Sequence, residues 1–72
     1  MPKFPSLKPK EVAKSLEKAG FVFVRQNGSH KIYIKDKICI TLPWHNTDMR
    51  IGTVKSIIKQ SGLTTQEFLE LI

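Results

Sequence analysis

The chain contains a single cysteine among its 72 residues, together with one tryptophan, one tyrosine and two histidines. One cysteine excludes an internal disulfide and a zinc site built from several cysteines, and it fits the reducing cytoplasm. Cys39 lies in an isoleucine-rich segment, so we expect a small core residue there rather than a nucleophile or a ligand. No metal site and no small-molecule cofactor are predicted.

Long apolar runs are also missing. No run approaches the ~18 residues that cross a membrane, and the N-terminus lacks the apolar core of a secretory signal. No segment pairs a wide apolar face with a basic one, so a membrane surface is not an expected partner. We expect one domain over residues 1–72, complete as it stands and cytoplasmic. A domain of this size buries only about 60% of the surface that its unfolded chain exposes.

Acidic residues are scarce: six Asp and Glu face twelve Lys and Arg, for a net charge of +6. The excess lies in the first half, where residues 1–37 hold nine basic residues and three acidic ones. A positive field should therefore gather around the first helix and the first hairpin, and a polyanion is the expected ligand. The alternative is that these lysines only keep a small domain soluble.

Turn signals and hydrophobic periodicity predict an α+β fold with the order α-β-β-β-α and a short C-terminal helix. The three strands should form an antiparallel sheet that helices cover on one face. Alternation puts Ile32 and Ile34 on one face of the second strand, and Lys31, Tyr33 and Lys35 on the other. The predicted elements are helices at 9–19, 52–61 and 65–71 and strands at 21–26, 30–35 and 38–42.

The tripeptide Gly28-Ser29-His30 carries one of the two histidines at the tip of the predicted first hairpin. The Asn-Gly pair that opens this turn is a strong hairpin signal, so His30 should be reachable from solvent. An imidazole can remove the proton from a ribose 2′-OH without a metal, while nearby cations stabilise the charge on the phosphate. His30 with Lys31 and Arg25 offers that minimum set. An ordinary surface histidine is the alternative.

Other residues allow two interpretations each. His45 follows the sheet in a loop, where it is either a second acid-base group or a hydrogen-bonded loop residue. Tyr33 and Trp44 have the aromatic rings that stack on bases in single-strand binders, although Trp44 could equally close one end of the core.

Several segments together give the chain a resemblance to the HicA toxins of bacterial and archaeal toxin-antitoxin pairs, also called YcfA-like proteins. The matching segments are Lys18-Ala19-Gly20-Phe21, Gly28-Ser29-His30 with Ile32-Tyr33, Pro43-X-His45-Asn46, the stretch from Gly52 to Thr64, and Glu67-Phe68. Together they span most of the chain.

The resemblance implies a fold like that of double-stranded-RNA-binding domains. It also implies a type II toxin that acts as an mRNA interferase, a metal-independent endoribonuclease with a single active-site histidine that aligns with His30. The implied partners are mRNA and a HicB antitoxin that blocks the active site. We expect Lys31, Arg25, Lys35 and Ser29 to contact the RNA.

Two other functions fit the same sequence. A non-catalytic module of the double-stranded-RNA-binding type would bind duplex RNA through its shape and backbone. Such modules concentrate cations at the start of the last long helix, whereas here that helix offers only Lys55 and Lys59. A protein-interaction adaptor would instead use the basic surface to dock an acidic partner.

Overall fold

The computed structural model describes residues 6–72, so Lys3, one of the cations counted above, lies outside the described residues. The chain forms three helices and three strands, and the sheet order is β1-β2-β3 with antiparallel neighbours. The elements are α1 (Pro9–Lys18), β1 (Val22–Asn27), β2 (His30–Lys35), β3 (Ile38–Pro43), α2 (Ile51–Ser61) and α3 (Thr65–Glu70). This arrangement confirms the α+β, double-stranded-RNA-binding-domain-like fold, and each element boundary lies within one residue of its prediction.

The helices end where the local sequence favours termination. Pro9 occupies the first turn of α1, where its missing N–H costs no helical hydrogen bond. Gly20, just beyond the end of α1, has φ 106°, and Gly62 ends α2 with φ 82°; both values lie in the region that glycine adopts without strain. At α3, Thr64 and Glu67 form a capping box, in which each side chain bonds the backbone N–H of the other residue.

The helices cover one face of the sheet, and the core lies between them. The largest fully buried apolar side chains come from all three helices and from β3: Phe68, Leu16, Ile40, Leu42, Val12 and Val54. A buried polar contact joins the first and last helices, because the hydroxyl of Ser15 donates a 2.7 Å hydrogen bond to the carbonyl oxygen of Phe68.

The covered face of β2 carries Lys31, Tyr33 and Lys35, which lie opposite Leu42, Ile40 and Ile38 of β3. Tyr33 is only 3% exposed and belongs to the core, so the hypothesis that its ring stacks on RNA bases is wrong. Burial, and secondarily the charge of Glu17, raise the pKa of the Tyr33 phenol above its usual value.

The other side of the sheet, which we call the uncovered face, has no helix against it and carries His30, Ile32 and Ile34. Cys39 pairs with Ile34 and is exposed, so the expectation of a core cysteine is also wrong. Alternation separated the two faces correctly, but the helices pack on the side of the tyrosine rather than of the isoleucines. The uncovered face is therefore unusually apolar.

No helix in residues 6–72 has the length and apolar character needed to cross a membrane.

Candidate functional site at the first hairpin

The β1–β2 turn presents His30 to solvent. Asn27 pairs with His30, so Gly28 and Ser29 are the two turn residues, and Gly28 adopts φ 61°, as the first central position of a two-residue hairpin turn requires. The side-chain amide of Gln26 donates a 3.0 Å hydrogen bond to the Gly28 carbonyl. His30 is the first residue of β2 and pairs with Asn27 across the hairpin. Its side chain is exposed, as the sequence predicted. A proton acceptor at this position can reach a large substrate, because nothing in residues 6–72 encloses it.

Arg25 lies on the same uncovered face as His30. It pairs with Ile32, two residues along β2 from His30, so the two side chains are diagonal neighbours with Cα atoms roughly 7–8 Å apart. Both are exposed. A phosphate placed over this end of the sheet could therefore meet the imidazole and the guanidinium together.

Lys31 projects from the opposite face of β2, away from His30. Its ammonium nitrogen lies 3.5 Å from the centre of the Trp44 ring and 5.6 Å from that of Phe23. The side chain is half-buried, so its charge rests on an aromatic surface rather than in open solvent. Lys31 is therefore next to His30 along β2, at the edge of the candidate site, but its side chain lies on the covered face and not on the uncovered face with the imidazole.

Lys35 lies at the other end of β2, five residues from His30 and thus roughly 16 Å away along the strand. Its ammonium donates a 2.7 Å hydrogen bond to the carbonyl oxygen of Ala19, which follows the last turn of α1. This contact favours a role for Lys35 in holding the helix end on the sheet. The structure does not bring it together with the other predicted RNA contacts.

The loop that follows β3 is bonded to the turn that carries His30. The backbone N–H of Trp44 donates a 2.6 Å hydrogen bond to the carbonyl oxygen of Ser29, and Pro43 pairs with His30. The turn and the loop are separate in sequence, and no local pattern predicts their connection, because it depends on the register of β2 against β3. Ser29 therefore helps to fix the loop through its backbone, while its side chain remains exposed.

His45 has partners within its own loop. Its Nδ1 lies 3.0 Å from the Thr47 carbonyl oxygen and 3.1 Å from the Thr47 hydroxyl oxygen. With the proton on Nδ1, the ring donates to the carbonyl and leaves Nε2 as an acceptor. These contacts favour the loop-residue interpretation. Among residues 6–72, no group of three His, Cys, Asp or Glu side chains is placed to hold a metal ion.

Comparison with known families places most of the chain in a described family. The family model described as the HicA toxin of bacterial toxin-antitoxin matches residues 9–63 of the 72-residue chain, from the first residue of α1 to just beyond the end of α2. The matched region includes the hairpin, the loop after β3 and every residue of the candidate site. Comparison with curated proteins returns no match.

Proposed function

The chain belongs to the HicA toxin family of bacterial toxin-antitoxin pairs, and we propose that it is an endoribonuclease that cleaves mRNA without a metal ion. The observation that carries the proposal is the position of His30, exposed at the end of a hairpin and on the same uncovered face as Arg25. The excess of basic charge in the same half of the chain supports a polyanionic substrate.

In the proposed reaction, the neutral His30 imidazole accepts the proton of a ribose 2′-OH. The 2′ oxygen forms a bond to the adjacent phosphorus, and the bond between phosphorus and the 5′ oxygen of the next nucleotide breaks. That 5′ oxygen takes a proton from water, and the exposed imidazolium returns its own proton to solvent. One fragment therefore ends in a 2′,3′-cyclic phosphate and the other begins with a 5′-OH. A positioned base of this kind contributes ~10²- to 10⁴-fold to the rate.

Arg25 stabilises the negative charge that develops on the phosphate, because it shares a face with the imidazole and has a delocalised, permanent charge. Ser29 offers a hydroxyl beside the same phosphate. Lys31 contributes from the edge of the site, where its ammonium lies over Trp44. The geometry gives Lys35 no part in this step, because its ammonium is bonded to Ala19 at the far end of the sheet.

A toxin of this family is paired with an antitoxin, and a HicB-type protein is the partner that we propose here. The uncovered face is a suitable place for it to bind. Val22 is 64% exposed and its cross-strand partner Ile34 is 36% exposed, which leaves apolar surface that a protein partner would bury. Because His30 lies on the same face, a partner seated there would also keep RNA from the imidazole.

The test is cleavage of a purified mRNA in excess EDTA by the wild-type protein and by His30→Ala. We expect wild-type cleavage with 2′,3′-cyclic phosphate ends, and no cleavage by His30→Ala, whose circular dichroism and antitoxin binding should be unchanged. Undiminished cleavage by His30→Ala would remove His30 from the reaction and point to His45. RNA binding without fragments from the wild-type protein would favour the non-catalytic RNA-binding module instead.

A further inference from the structure

An open pocket of about 290 Å³ lies beside the His30 hairpin, between two segments that are distant in sequence. Lys8 and Lys10, at the start of α1, form one side, and the loop residues Trp44, His45 and Asn46 form the other. We infer that this pocket binds one nucleotide of the RNA, next to the nucleotide whose 2′-OH faces His30. The inference rests on the proposed function and assigns a substrate subsite to it.

The connection between the pocket and the hairpin supports this placement. Trp44, which forms part of the pocket wall, is bonded through its backbone N–H to Ser29, the residue before His30. The pocket wall and the imidazole therefore belong to one hydrogen-bonded unit. Lys31, whose ammonium lies over Trp44, projects from the face opposite His30, so an RNA strand that places a ribose over His30 reaches the pocket by passing around the hairpin end of the sheet.

The charge of the pocket suits a phosphate. Lys8 and Lys10 are both exposed, and within residues 6–72 neither ammonium has a carboxylate partner. The Glu11 carboxylate lies nearby, but it accepts a 3.1 Å hydrogen bond from the backbone N–H of Lys8 and so caps the helix. The Glu11 carboxylate is thus engaged with the backbone, and the two ammonium groups supply the attraction for an anion.

The remaining wall suits a base and a sugar. One face of the Trp44 ring lies under the Lys31 ammonium, and the ring also lines the pocket, where it offers apolar surface to a base. The side-chain amide of Asn46 can both donate to and accept from a base edge. The Nε2 atom of His45 is available for a sugar hydroxyl when Nδ1 is bonded to Thr47. A nucleotide offers a matching group to each part of this wall: a phosphate for the two cations, a base for the aromatic ring and the amide. An acidic side chain would match only the cations.

The pocket's volume agrees with a single nucleotide. About 290 Å³ lies just below the ~300–1,000 Å³ typical of small-ligand sites, which suits a ligand no larger than one nucleotide. A nucleotide that enters this pocket must be unpaired, so we expect single-stranded RNA as the substrate.

Binding to the pocket can be measured with Trp44, which is the sole tryptophan of the chain. The experiment titrates the non-cleaving His30→Ala protein with adenosine 5′-monophosphate and with a short single-stranded oligoribonucleotide, following Trp44 fluorescence. We expect saturable quenching by both probes. The double variant Lys8→Ala/Lys10→Ala should bind the oligonucleotide on the order of tenfold more weakly, with a salt dependence reduced by roughly one to two counterions.

A charge-matched control separates the pocket from general electrostatics. Lys14→Ala/Lys37→Ala removes the same charge from exposed positions that do not line the pocket, and it should retain wild-type affinity within about twofold. Equal losses in the two double variants would overturn the pocket, as would the absence of nucleotide quenching. Loss of binding to an acidic antitoxin segment, with RNA affinity unchanged, would also overturn it and assign the pocket to the protein partner.

The test of the pocket and the test of the proposed cleavage reaction can fail independently of each other. If wild-type protein cleaves RNA through His30 but nucleotides do not bind at Trp44, the pocket inference fails and the proposed nuclease function stands. If nucleotides bind in the pocket but wild-type protein never yields fragments, the pocket stands as a nucleotide site and the nuclease proposal fails.

Discussion

The ammonium nitrogen of Lys31 lies 3.5 Å from the centre of the Trp44 ring, which joins β2 to the loop that follows β3. Both side chains are half-buried, so the cation is partly removed from water and its attraction to the ring is strengthened. A lysine that the sequence assigned to RNA contact therefore also contributes to holding the site together.

Replacing Lys31 with Met should lower the free energy of unfolding by about 0.5–1 kcal/mol, because Met keeps the apolar stem and removes only the charge. Lys31→Arg is the matched control and should unfold within about 0.5 kcal/mol of the wild type, since guanidinium also stacks on indole. Urea unfolding followed by circular dichroism measures both. A Met variant as stable as the wild type would show that the contact contributes nothing to stability.

The Ser15 hydroxyl gives a second prediction, because it holds the last helix to the first through the Phe68 carbonyl. Ser15→Ala should destabilise the protein by about 0.5–1.5 kcal/mol, the net contribution of one hydrogen bond, because the Phe68 carbonyl oxygen keeps its 3.2 Å bond from the Leu71 N–H. Ser56→Ala is the control: Ser56 is exposed on α2 and accepts only from Gln60, so its loss should cost less than about 0.5 kcal/mol. Denaturant unfolding of the two variants should differ accordingly, and equal stabilities would contradict this role of Ser15.

The elements of the fold could be predicted from local signals. Pro9 and Gly20 bound the first helix, Gly28 sets the first hairpin, and Thr64 with Glu67 starts the last helix, each through a preference of a few neighbouring residues. The covered face could not be predicted in the same way. Alternation sorts β2 into two sides, but Tyr33 and Ile34 are both apolar enough to be buried, and only the positions of the helices decide between them.

In the candidate site, too, features set by local sequence could be predicted and features set by packing could not. Exposure of His30 follows from the turn alone, and the distance of Lys35 follows from the length of β2. The contacts of Lys31 with Trp44 and of Trp44 with Ser29 join residues of different strands and loops. They depend on long-range packing, which no pattern within one segment records.

Glu67 predicts a dependence of stability on pH. Hydrogen bonds from the backbone and side chain of Thr64 lower the pKa of its carboxyl below the usual 4.5. The charged carboxylate is therefore favoured in the folded state. Its stabilising effect is complete above the unfolded pKa and is lost as the pH falls through the lower folded value.

Glu67→Gln tests this, because Gln keeps the capping geometry and cannot ionise. The wild type should be the more stable protein near neutral pH, and the difference from Glu67→Gln should shrink as the pH falls and the Glu67 carboxylate of the folded protein takes up its proton. Denaturant unfolding at a series of pH values gives the difference directly. A gap that stays constant with pH would rule out the carboxylate charge as its source.

The uncovered face predicts which substitutions separate antitoxin binding from RNA cleavage. Val22→Asp places a charge within the apolar surface, so it should weaken binding of a HicB-type antitoxin at least tenfold. Cleavage by the free toxin should persist, because Val22 pairs with Ile34, four residues or roughly 13 Å along β2 from His30. Ile51→Asp is the control, since Ile51 is 50% exposed but begins α2, away from this face. Calorimetric titration with the antitoxin distinguishes the two variants, and equal affinities would mean that the antitoxin binds elsewhere.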